Sequence, residues 1–153
     1  MGDFKKLVVW QKAHAVTLHA HRIAIGIRPG LYAPIRSQMV RAAMSIPANI
    51  VEGARQESDR DFARFLRYAI NSGCELEYHV MLARDMGVIP EKEGSSLLSE
   101  VIEVRKMLHG LLTAVRKDKP AQTQQADDTV SNESSPLPAD KAWSTQLLFV
   151  DAC

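Results

Sequence analysis

Little in this sequence supplies covalent or metal chemistry. Two cysteines in 153 residues, Cys74 and Cys153, make neither a disulfide framework nor a four-ligand zinc site by themselves. Cys74, midway along an apolar helical pattern, reads as an inert, buried thiol. No stretch approaches the roughly 20 apolar residues that cross a bilayer, so no membrane partner is expected. Met1-Gly2-Asp3-Phe4-Lys5-Lys6 has no apolar core behind its charges, which argues against a secretory leader. Lys6 stands where a myristoylation signal needs a hydroxyl. A reducing cytoplasm is the expected setting. There is no Gly-x-x-x-x-Gly-Lys phosphate loop, no Gly-x-Gly-x-x-Gly and no nucleophile elbow. None of His14, His19, His21, His79 and His109 has a glutamate three residues before it, so the Glu-x-x-His pairs of a di-metal bundle are missing. Metal, cofactor and enzymatic activity are all unexpected.

Net charge also looks small, at +1, which on its face disfavours a nucleic-acid partner. The total hides a division. Residues 1–119 carry 18 of the 19 Lys+Arg and 13 of the 18 Asp+Glu, a surplus of +5. Residues 120–153 hold Lys141 against five acids, a balance of −4. The chain reads as a basic body, residues 1–118, and an acidic tail, residues 119–153. From Pro120 the tail shows no helical or strand period and few apolar residues, a composition that predicts disorder. Its end, with Trp143, Leu147, Leu148, Phe149 and Val150, reads either as an untethered terminus or as a short docking motif.

The body is helical by pattern. Four apolar series alternate spacings of four and three. They run from Val9 to Ile27, from Ile35 to Ile50, from Phe62 to Ala83 and from Leu97 to Val115. Such a repeat keeps one seam of each helix facing its neighbours. Arg28-Pro29-Gly30 stops the first helix, and Pro34 suits the first turn of the second. Gly53 is expected to end the second. Ser58-Asp59-Arg60-Asp61 resembles a capping box that opens the third. Gly87 and Pro90 separate the third from the fourth. Pro47 conflicts with its helix, where it removes a hydrogen bond and predicts a kink. Short links between long helices make the expected fold all-α, an antiparallel up-down-up-down four-helix bundle with a disordered C-terminal tail.

Two polar constellations stand out. Gln38, Arg41, Ser45, Asn49 and Glu52 form one stripe of the second helix, and Ser72 and Glu75 lie beside the seam of the third. They read either as a polar network that fixes helix register or as a ligand contact. Arg36, Arg41, Arg55, Arg60, Arg64 and Arg67 are expected to gather over one end of the bundle and to match a run of phosphates. The alternative is a solvated face of intrahelical ion pairs. Phe62, Phe65 and Tyr68 read as core or interface rather than as base-stacking platforms.

The residues also resemble a known family. The carriers are Phe4-x-x-Leu7-x-Val9-Trp10-Gln11-Lys12-Ala13, the segment from Ser37 to Gly53 with Ser45-Ile46-Pro47-Ala48-Asn49-Ile50-x-Glu52-Gly53, and Phe62-x-x-Phe65-Leu66 with Ser72-x-x-Glu75-Leu76-Glu77. They resemble the bacterial four-helix-bundle proteins encoded by intervening sequences in 23S ribosomal RNA genes, called S23-like. The accessory variability protein of diversity-generating retroelements is similar. The resemblance implies a ring-shaped homopentamer, a nucleic-acid partner (RNA or DNA) and, from the retroelement relative, a reverse transcriptase. It makes Trp10, Gln38, Arg41, Ser45, Pro47, Asn49, Glu52, Gly53, Ser72 and Glu75 determinants of fold or assembly. The family often has Gly where Asn71 stands and Ala where Val51 stands, and both departures predict added bulk at helix contacts. The function expected is a non-enzymatic homo-oligomer that binds nucleic acid or serves a ribonucleoprotein. The alternative is a protein-interaction scaffold.

Overall fold

The computed structural model describes residues 3–117, so the expectations for the acidic tail lie outside the described residues. A 3-10 turn, Phe4–Lys6, precedes four helices: α1 (Val8–Gly26), α2 (Ala33–Ala54), α3 (Asp59–Asp85) and α4 (Glu91–Lys117). Each packs on its neighbours in sequence, and α1 closes the bundle against α4. This is the up-down-up-down arrangement that short links dictate. At ~1.5 Å per residue, α3 and α4 each span about 40 Å.

The apolar series become the core. Val16, Ala20, Met39, Ile46, Ile50, Leu66, Leu76, Val80, Leu97, Val101 and Leu108 are almost completely buried. Burying a side chain of the Val, Leu or Ile type contributes about 1.5–3 kcal/mol. Phe62, Leu111 and Val115, at the helix ends, are half-buried against that core. Cys74 is likewise half-buried rather than fully enclosed.

The bounds of α3 follow its caps. The Ser58 hydroxyl accepts the Asp61 N–H at 3.1 Å, the first half of the expected capping box, but the Asp61 carboxylate accepts from that hydroxyl at 2.6 Å rather than from the Ser58 backbone N–H. The end of α3 is a Schellman motif. The Val88 N–H donates to the Ala83 carbonyl and the Gly87 N–H to that of Arg84, both at 2.8 Å. Gly87, at φ 67°, supplies the left-handed residue the motif needs.

Pro47 does not interrupt its helix; α2 continues through it to Ala54. Proline lacks an N–H, so the Ala43 carbonyl loses its usual helical donor four residues on. The Thr17 hydroxyl on α1 shares its proton between that carbonyl, at 2.8 Å, and the Ala13 carbonyl of its own helix, at 2.9 Å. A partner helix thus supplies the bond the sequence withholds, and the expected conflict is resolved across the α1–α2 interface.

Gly53 also differs from expectation. It is buried and helical, and α2 runs one residue past it. A Cβ there would stand 2.8 Å from Phe65 Cβ and 2.9 Å from Phe62 Cδ2. Its role is close approach of α2 to α3, not termination. Gly73 does the same for α4, where a Cβ would stand 2.8 Å from Arg105 Cγ. Asn71, expected to add bulk at a helix contact, points to solvent, because its position lies off the buried seam of α3; Val51 is half-buried.

Candidate nucleic-acid interface

The polar stripe of α2 closes onto α3 as a network. Arg41 Nε and Nη2 donate to the Gln38 side-chain oxygen at 3.0 and 2.7 Å. Nη2 also pairs with the Glu75 carboxylate. His79 Nε2 lies 3.7 Å from the same carboxylate. One helical turn further along α2, Asn49 Nδ2 donates to the Ser45 carbonyl at 2.8 Å and hydroxyl at 3.0 Å. The Ser72 hydroxyl lies 2.9 Å from that of Ser45 and 3.0 Å from the Tyr68 carbonyl. Ser72 is the one buried polar side chain among the described residues. These contacts join two helices, which fixes their register, although the buried His79 Nδ1 has no hydrogen-bond partner among the described residues. Glu52 stands outside the network; its side chain is exposed, and its carbonyl accepts from the Arg55 N–H and the Gln56 side chain. Trp10 lies elsewhere, stacked on His14 with ring centroids 5.3 Å apart and meeting the edge of Phe4 at 5.0 Å, which pins the 3-10 turn to α1.

The six arginines do not form one cluster. An unbroken α2 separates Arg36, in its first turn, from Arg55, just past its end. Nineteen residues of helical rise place them roughly 28 Å apart. Arg36 and Arg41 instead line a groove between α1 and α2, with His21, Ile25, Val40 and Met44. Arg41 is committed to Glu75, and Arg64 pairs with Asp61 at 3.2 Å while lying 5.5 Å over the Phe65 ring. Among the described residues, Arg36, Arg55, Arg60 and Arg67 make no ion pair.

Arg60 and Arg67 share a second site. Seven residues apart, they lie on one face of α3. Antiparallel packing brings the last turn of α4 beside them. Arg60, Arg67 and Arg116 line one cleft of about 300 Å³, together with Asp59, Ala63 and Val115. Arg116 was not foreseeable as a member, because 49 residues separate it from Arg67 and only the α3–α4 pairing joins them. The one available signal was the basic last turn of α4, Arg116-Lys117. Lys5, Lys6 and Arg55 belong to the same end of the bundle. It carries eight Lys or Arg, counting Arg64 and Lys117, against Asp3, Glu52, Glu57, Asp59 and Asp61. Phe62 and Phe65 are half-buried there, and Phe65 meets Tyr68 edge-on at 5.7 Å. Tyr68 is the exposed ring of the three.

Among the described residues, no group of three His, Cys, Asp or Glu is placed to hold a metal ion, and no helix is long and apolar enough to cross a membrane. The family model described as 23S rRNA-intervening sequence protein matches residues 5–110. A solved structure of a protein of unknown function from the S23 ribosomal protein family, from Bacteroides thetaiotaomicron VPI-5482, has the same fold. It matches with a TM-score of 0.63 at 23% identity, over 69% of this chain and 98% of its own. No curated protein matches the chain.

Proposed function

The chain belongs to the 23S rRNA-intervening sequence protein family, and from that premise we propose that it is a non-enzymatic, homo-oligomeric protein that binds nucleic acid. The observation that carries this reading is the cleft lined by Arg60, Arg67 and Arg116, none of which has an ion-pair partner among the described residues. Unpaired guanidiniums present planar forks to phosphate oxygens. Paired ones, such as Arg41 and Arg64, must first give up a carboxylate. Binding in this reading is dominated by the backbone phosphates and weakly selective for sequence. Self-association is supported by exposed apolar side chains: Leu31 is 84% exposed, Ile25 61%, Tyr78 60%, Val8 58% and Met44 58%. A ring of five copies, as the family resemblance implies, would repeat the basic end in every subunit.

Fluorescence anisotropy against labelled single-stranded RNA and DNA, across a salt series, tests the proposal. The expected log–log slope is about 0.7 per phosphate contact for a single strand. Replacing Arg60, Arg67 and Arg116 by Glu is expected to flatten it by roughly two units. No binding at low salt, or an unchanged slope in the variant, refutes the reading. A second reading, a protein-interaction scaffold, is favoured by the α1–α2 groove, whose lining is mainly apolar. A reverse transcriptase is the protein partner that the resemblance adds. Recovery of one stoichiometric protein with no nucleic acid decides for the scaffold.

A further inference from the structure

We infer that the α3–α4 cleft receives the terminal phosphate of a nucleic-acid strand in preference to phosphates within the strand. The inference rests on the nucleic-acid reading above and specifies what part of the strand the cleft takes. Three arginines from two helices line a single cleft, rather than spreading along a track. A phosphodiester within a strand has two free oxygens, and so offers one edge to a planar fork. A terminal phosphate has three free oxygens and three such edges, with a charge of about −1.5 to −2 at neutral pH. Three arginine side chains turned onto one anion therefore match the terminal group and are under-used by the internal one.

The remaining lining points the same way. Ala63 and Val115 form an apolar wall that offers a phosphate no donor, so recognition falls to the arginines. Asp59 is the one carboxylate of the cleft. It is an acceptor suited to a sugar hydroxyl. Arg64, between Arg60 and Arg67 in sequence, is held by Asp61. Among the described residues Arg60 and Arg67 make no such ion pair.

The test uses the full chain and one oligoribonucleotide made with a 5′-phosphate, a 3′-phosphate or hydroxyls at both ends. The expected result is at least about tenfold tighter binding of one phosphate-ended form, one strong charge-assisted contact being worth that much. The double variant Arg67→Lys, Arg116→Lys keeps the charge but removes the forks. It is expected to bring the preference below about twofold while hydroxyl-ended RNA still binds. Circular dichroism confirms that it folds. Equal affinities for all three ends, with salt-dependent binding intact, overturn the inference and leave the broader proposal standing. A preference retained in the lysine variant also overturns it. Inorganic phosphate as potent as the phosphate-ended oligonucleotide assigns the cleft to the free anion instead of the strand end. Absence of binding by every oligonucleotide overturns both readings.

Discussion

Replacing Thr17 by Val keeps the shape of the side chain and removes the hydroxyl that bonds the Ala43 carbonyl at 2.8 Å. Ala43 is fully buried, and Pro47 cannot provide the helical N–H that normally serves a carbonyl four residues earlier. Leaving a buried acceptor unsatisfied costs about 1–3 kcal/mol; the expected loss here is about 2 kcal/mol, near the middle of that range. In a domain of this size that lowers Tm by roughly 8 °C. The Pro47→Ala background reverses the situation. It restores a backbone N–H placed for the Ala43 carbonyl, so the same Thr17→Val change is expected to cost only about 0.5 kcal/mol. The coupling in the double-mutant cycle is thus about 1.5 kcal/mol. Effects of Pro47→Ala that do not involve Thr17, such as helix propensity and the lost ring volume, appear in both arms and cancel. Urea and thermal unfolding of the four proteins, followed by far-ultraviolet circular dichroism, measure it. Equal costs of Thr17→Val in both backgrounds, within about 0.3 kcal/mol, refute the argument that Thr17 compensates for the proline.

Gly53→Ala is expected to destabilise by about 1–2 kcal/mol, because overpacking against Phe62 and Phe65 outweighs the gain in helix propensity. Gly110→Ala, where a Cβ meets nothing within 4 Å, is expected to stabilise by about 0.5–1 kcal/mol; a common sign in denaturant titrations counts against the close-approach reading. Arg105 and Glu77 form an ion pair between α4 and α3 with side chains 12% and 23% exposed. Arg105→Ala is expected to cost about 3 kcal/mol, since it leaves Glu77 with little water. Glu103→Gln, which breaks the exposed pair with Lys12 at 3.0 Å, is expected to cost under about 1 kcal/mol. Similar losses in the two variants would contradict the burial argument.

Much of the fold was legible because helices are local. The four-three spacing that names the seam of α1 depends on residues within a turn of one another, and the same is true of Ser58 capping α3 and Gly87 ending it. Even the polar partners could be grouped, since Gln38, Arg41, Ser45 and Asn49 share a stripe on one helix. Their bonds could not be assigned. Ser72 and Glu75 reach that stripe only because α2 and α3 pack in a particular register.

The arginines show the same limit from the other side. Proximity in sequence suggested one cluster of six, but a rigid helix keeps Arg36 and Arg55 apart, and ion pairs occupy Arg41 and Arg64. Arg116, distant in sequence, completes the cleft instead. The sequence by itself determined the four helices, their buried seams, the caps of α3 and the basic character of the body. These follow from spacing and composition within each segment. The tertiary structure alone decided which arginines stand free, why Pro47 is tolerated and why position 53 must be glycine. Each of those depends on what a neighbouring helix brings within hydrogen-bond or van der Waals distance, and no local pattern encodes it.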